Sequence, residues 1–179
     1  MGSKIVFTLT GTDRVGIVEE ITGSLLKLGG NIETSRMARL GGEFAVLLLV
    51  DLPAGKNEEL KQTMAGLTAL GYKVTTTPTD FNYAQRHAGW LPFRIEIHGA
   101  DHEGIVHRIA HTLAQKGINI ESMETGNSRA PNSGCLLFTM KALVLAPPDL
   151  EEQNLRKELE AAGQEQHIDI FLTATDFPA

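Results

Sequence analysis

From Lys4 to Thr10 apolar and polar residues alternate, with Ile5, Phe7 and Leu9 set against Lys4, Thr8 and Thr10. That period of two predicts a strand with one buried face. The period then changes. Ile17, Ile21, Leu25 and Leu28 stand three or four apart, the spacing of an amphipathic helix. Gly29-Gly30 follows, where a left-handed C′ glycine would end it. A second strand is expected from Asn31, turning at Gly41-Gly42 into the apolar run Phe44 to Val50. Leu60, Met64 and Leu67 mark a second helix, and Tyr72 to Thr77 a final strand.

The whole succession occurs twice. Gly11-Thr12-Asp13-Arg14-Val15-Gly16-Ile17-Val18 returns 88 positions later as Gly99-Ala100-Asp101-His102-Glu103-Gly104-Ile105-Val106. At the same offset Ile21, Leu25, Gly29, Asn31, Ile32 and Glu33 fall on Ile109, Leu113, Gly117, Asn119, Ile120 and Glu121. Further on the offset drifts, with Gly71 aligned to Gly163 and Thr79-Asp80-Phe81 to Thr175-Asp176-Phe177. Drift of this kind reflects loop insertions between preserved elements, one of them the Ser/Asn/Pro/Gly-rich stretch Gly126 to Gly134. In the second copy Phe93, Ile95 and Ile97 give the first strand, and Leu136 to Leu145 the counterpart of Phe44 to Val50. Leu155 and Leu159 mark the last helix, with Asp149 as expected N-cap and Glu152 three residues on. Ile168 to Thr173 closes the copy.

Strand–helix–strand–strand–helix–strand places two crossover units in one antiparallel sheet, with both helices on one face. The expected class is therefore α+β: two ferredoxin-like βαββαβ sandwiches in tandem, over residues 1–80 and 92–179. Residues 81–91 would be the linker, with aromatic Trp90 as a packing anchor. Each copy is small enough that pairing, within the chain or between chains, is expected to complete its burial.

Composition narrows the functional classes. Of 179 residues, 42% are hydrophobic and 21% charged, values of an ordinary globular chain rather than a disordered one. The formal charge is −6 and no Lys/Arg run is present, so direct nucleic-acid binding is not expected. One cysteine, Cys135, excludes an internal disulfide. Residues 1–4 run straight into the first strand with no leader-like apolar segment, and no apolar run reaches membrane-spanning length. A cytoplasmic protein without a membrane span is the expectation.

The turn after each first strand is where chemistry could sit. In Gly11-x-Asp13-x-x-Gly16 the glycines allow a tight turn and close backbone approach, and the following helix start offers N–H groups to a carboxylate. Asp13 or Asp101 could accept from an ammonium group, and Asn31 or Asn119 brings a donor and an acceptor. That set suits a zwitterionic amino acid. As turn chemistry alone, the aspartates would be N-caps and the glycines turn formers. The motif is too short for a dinucleotide fingerprint and lacks a P-loop lysine.

Gly-x-Asp-Arg-x-Gly-Ile-Val after a strand, followed by Gly30-Asn31-Ile32, resembles the ACT domain, and the second copy repeats it through Gly99 to Val106 and Gly117-Ile118-Asn119-Ile120. A chain of two such domains with no attached enzyme is similar to the glycine cleavage system transcriptional repressor group. The resemblance implies a regulatory, non-enzymatic role in amino-acid metabolism, with no cofactor. An effector such as glycine or serine would sit at the interface of paired domains, touched by the first loop of one and the second strand of its neighbour. It further implies action through a protein partner, a transcription activator, instead of through DNA. The implied ligand positions are Gly11, Asp13, Gly16, Ile17 and Asn31, then Gly99, Asp101, Gly104, Ile105 and Asn119. His102-Glu103 stands where the first copy has Arg14-Val15, so the first copy is the expected binder. The alternative is a ligand-free interaction module.

Other groups read as structural. His107 and His111 are four apart on a predicted helix, but as a polar face rather than a metal site. Cys135 has no placeable base, so no nucleophilic catalysis is expected. Glu19-Glu20, Glu58-Glu59 and Glu151-Glu152 read as solvated helix faces.

Overall fold

The computed structural model describes residues 3–79, 87–130 and 134–176. The chain forms two compact units, Met1–Asn82 and Tyr83–Ala179. The first is β1 (Ser3–Thr12), α1 (Ile17–Lys27), β2 (Asn31–Leu40), β3 (Glu43–Leu52), α2 (Asn57–Ala69) and β4 (Lys73–Pro78). The second is β5 (Leu91–Ala100), α3 (Ile105–Gln115), β6 (Asn119–Arg129), β7 (Leu136–Ala146), α4 (Glu152–Gln166) and β8 (Ile168–Ala174). Each unit carries a four-stranded antiparallel sheet, ordered β2-β3-β1-β4 and β6-β7-β5-β8. This is the tandem ferredoxin-like α+β fold that the periodicity predicts.

Alternation along the strands decides which face the helices cover. Ile5, Phe7 and Leu9 of β1 and Val46, Leu48 and Val50 of β3 join Ile17, Ile21 and Leu25 of α1 in one core. In the second unit Phe93, Ile95, Ile97, Ile105, Ile109 and Leu113 do the same. Each fully buried Leu or Ile contributes about 1.5–3 kcal/mol, so α1 and α3 are held mainly by their apolar stripes. Both helices stop as expected. Gly29 and Gly117 have φ of 75° and 67°, and the amides of Gly30 and Ile118 donate back to the carbonyls of Leu25 and Leu113. Among the described residues no helix is long and apolar enough to cross a membrane.

Four local expectations change. Asp149 does not cap α4: the Leu150 amide donates to the Pro147 carbonyl, closing a turn that holds Asp149, and the helix starts at Glu152 after Glu151. Gly126 to Arg129 are not loop; they remain in β6, paired with Leu136 to Thr139. Residues 131–133 of that hairpin lie outside the described residues. Gly163 is not the partner of Gly71, because it lies inside the longer helix α4. Strand register instead matches Thr10–Lys73 with His98–Asp169, which makes Tyr72 equivalent to Ile168. Of the expected linker, 81–86 lies outside the described residues, Trp90 packs edge-on against the His87 ring at 4.5 Å, and Leu91 already belongs to β5.

Candidate functional site

The β1–α1 and β5–α3 loops are built on two kinds of glycine. Gly11 and Gly99 are strand residues with little room around them. A Cβ on Gly11 would lie 2.5 Å from the Tyr72 ring, and one on Gly99 2.6 Å from the Ile168 side chain and 3.0 Å from its Cα. Close packing of the last strand, not a ligand, is what requires glycine there. Gly16 and Gly104 differ: their φ values are 88° and 91°, and a Cβ at either would meet no atom within 4 Å. These are helix N-caps in the left-handed region, which glycine enters without steric penalty.

Asp13 and Asp101 are consequently not helix caps. Neither helix has a side-chain cap. The Asp13 amide donates to the Gly42 carbonyl at 3.0 Å, and its carboxylate stands 3.7 Å from Arg39. Asp101 repeats the first bond with Leu136 at 2.9 Å, and its carboxylate accepts from the Asn127 amide at 2.8 Å. Both acids are thus turned toward the end of the neighbouring hairpin. Ile17 and Ile105, the first residues of their helices, put their side chains in the core, which leaves only their backbone for a ligand.

The asparagines are elsewhere. Asn31 pairs with Asp51, which pairs with Lys4, whereas Thr12 pairs with Glu43 at the other end of β1. About eight residues of strand, roughly 26 Å at ~3.3 Å per residue, separate the two levels. Asn119 likewise lies at the Pro92 end of its sheet, across Leu145, while Ala100 pairs with Leu137. One unit therefore does not bring Asp13 and Asn31, or Asp101 and Asn119, around one small molecule. Asn31 is exposed, and the Asn119 amide donates to Glu121. Glu33 and Glu121 each occupy a register shift in the second strand, at matching places in both copies.

The loop residue after the acid carries chemistry that the sequence reading missed. Arg14 donates through Nε to the Tyr72 hydroxyl at 2.7 Å, ion-pairs with Glu20, and lies 5.7 Å from the Tyr72 ring centre. Those bonds, the Tyr72 one foremost, push its pKa further up, so it is a permanent cation. Glu20 is accordingly a clamp on the loop and not merely a solvated charge. In the second copy His102 replaces it, with Nδ1 3.1 Å from the Glu103 carbonyl and Nε2 2.8 Å from that of Gln166 at the end of α4. A neutral imidazole donates through one nitrogen only, so two carbonyl acceptors favour the imidazolium. The pKa is raised, chiefly by the Gln166 bond, then by that of Glu103. The sequence clue was the paired difference between copies, Arg14 with Tyr72 against His102 with Ile168. Val15, at the first loop's tip, is fully exposed.

The His107 and His111 rings stack at 6.2 Å, and no group of three or more metal-binding side chains occurs among the described residues. Cys135 is exposed, just before β7.

Residues 3–75 match the family model for the ACT domain. Over 46 residues the chain is 48% identical to the glycine cleavage system transcriptional repressor of Escherichia coli (strain K12), a stretch covering 26% of this chain and 24% of that protein. It therefore aligns with about a quarter of that relative. A crystal structure of an unknown protein from Galdieria sulphuraria is 31% identical and superposes with a TM-score of 0.87, covering 98% of this chain and 100% of that one. A second, provisionally assigned to a glycine cleavage system transcriptional repressor, is 20% identical with a TM-score of 0.71 over 98% and 99% of the two chains. The latter likeness speaks to the fold.

Proposed function

Because this chain belongs to the ACT-domain proteins and carries the unit twice, we propose that it is a non-enzymatic cytoplasmic regulator. An amino acid, glycine or serine first, binds where two such units meet, and a protein partner reads the outcome. What carries this reading is the separation of the acid loop from the asparagine within each sheet. A ligand touching both must bridge two units, and β2 and β6, as outer strands, are available on one side for that pairing. The exposed Val15 at the tip of the first loop supports the same reading, since a neighbouring unit would cover it. To regulate, the effector must bind one arrangement better than another. The partner, by likeness to the repressor, is a transcription activator.

Glycine or serine should raise the melting temperature of ligand-free protein, and Asp13→Ala should abolish the rise. Calorimetry that gives no heat with any of the twenty amino acids would refute the sensing role. A second reading, a ligand-free interaction module, is favoured in the second unit, where the Asp101 carboxylate is already taken by Asn127. Unchanged partner capture by an Asp13→Ala/Asp101→Ala variant would support it.

A further inference from the structure

The last strands of the two sheets are guarded differently. β4 and β8 each lie at the end of their sheet, and among the described residues each has one strand partner, β1 or β5. Alternate backbone N–H and C=O groups of such a strand point away from its sheet and are open to another chain. β4 carries two common deterrents, since it begins at Lys73 and ends at Pro78, with threonines between them. β8 reads Ile168-Asp169-Ile170-Phe171-Leu172-Thr173-Ala174 and has no lysine, arginine or proline. Register puts Phe171 opposite Glu96 and Thr75 opposite Thr8, so a ring stands where the first unit has a hydroxyl. Phe171 is 54% exposed, with the His98 ring centre 6.1 Å away. A recess of about 220 Å³ opens between α4 and this strand, lined by Glu160, Gln164, Ile168, Asp169, Ile170 and Phe171.

The strand is also complementary to itself. Phe171 is its middle residue, and a two-fold axis there sets Ile168 across the partner's Ala174, and Ile170 across the partner's Leu172. Phe171 then meets its own counterpart, an aromatic cross-strand pair. Asp169 is the one charged residue of β8, and the same axis places it across the partner's Thr173. No like charges are opposed within the strand pair. An arbitrary extended segment would satisfy the backbone but not this side-chain match.

We propose that β8 is an assembly edge, pairing antiparallel with β8 of a second copy of the chain. It lies at the opposite end of its sheet from β6, so the contact does not depend on the effector reading.

Cross-linking of the full chain in a Cys135→Ser background tests the register. Directly opposed residues of an antiparallel pair have Cα atoms ~4.5–5.5 Å apart, within disulfide reach. Asp169→Cys combined with Thr173→Cys, both exposed positions, should therefore oxidise to a covalent dimer. Thr173→Cys alone should not, because its two copies would stand ~13 Å apart along the strands. In sedimentation equilibrium the parent chain should associate with rising concentration, and Phe171→Lys should weaken this at least about tenfold by opposing two like charges. Thr75→Lys, the matching change in the first unit, and Asp13→Ala should leave association unchanged. Glu160 and Asp169 of both copies approach at the seam, so added salt should strengthen it. Failure of the double cysteine variant to cross-link, or equal cross-linking by Thr173→Cys alone, overturns the proposal. So does association that Phe171→Lys leaves intact.

Discussion

The two strand-to-helix loops have the same backbone and different fastenings. Both run from a packed glycine through an aspartate to a left-handed glycine at the helix start. In the first, Arg14 ties the loop to Tyr72 and Glu20. In the second, His102 ties it to two carbonyls, one of them at the end of α4. Repetition thus preserves what the fold demands and releases what surrounds the loop. The first fastening is permanently charged, whereas the second is a histidine whose pKa is raised above its ordinary value, chiefly by the Gln166 carbonyl.

The sharpest way to break the parallel is through the packed glycines. Gly99→Ala should destabilise the second unit by about 1–3 kcal/mol, the usual range for overpacking. Its new Cβ meets the Cα of Ile168, so β8 itself must shift. Gly11→Ala should have a smaller effect on the first unit, since mainly the Tyr72 ring must move. Amide exchange resolved by strand would report each unit separately; equal losses would contradict the distinction.

Gly16→Ala and Gly104→Ala should instead behave alike, each destabilising by about 1–2 kcal/mol from left-handed strain alone. Neither site offers a neighbour to collide with. Matched shifts in urea midpoints are expected, and a clear inequality would mean that one loop packs more tightly than its geometry indicates.

A smaller effect separates the copies by pH. The folded pKa of His102 lies above its ordinary value near 6.5, so its stabilisation is complete below 6.5. It is lost as pH rises through the folded value. An NMR titration should show His102 still protonated above its ordinary range, and His102→Gln should remove its share of the stability slope. Arg14 should contribute no such slope near neutrality. Smallest of all, Tyr72→Phe should lower the first unit's melting point slightly by removing one acceptor of Arg14. A variant as stable as the parent would show that Glu20 alone holds the loop.

Much of the architecture was legible because it rests on short-range rules. Periods of two and near four place the buried strands and the helices, the outer strands β2 and β6 follow only from the Asn31 and Asn119 starts and the repeat, and Gly29 and Gly117 mark two helix ends through local backbone geometry. The errors fell where a neighbour overrides local preference. Gly126 to Arg129 look like loop yet stay extended, because the apolar β7 beside them supplies hydrogen bonds. Asp149 looks like a cap yet is taken into a turn by Pro147.

The candidate site divides the same way. The duplication, the tandem sandwich class and the positions of Gly11, Asp13, Gly16 and Asn31 with their second-copy partners were determined by sequence alone, since each is a pattern along the chain. Only the tertiary structure decided that Gly11 is a packing residue while Gly16 is a conformational one. Only it put Asp13 and Asn31 at opposite ends of one sheet, joined Arg14 to Tyr72, and set Phe171 on an outer strand at the place of Thr75. Those relations depend on register between strands far apart in the chain, and residue type does not encode which distant side chain will be opposite.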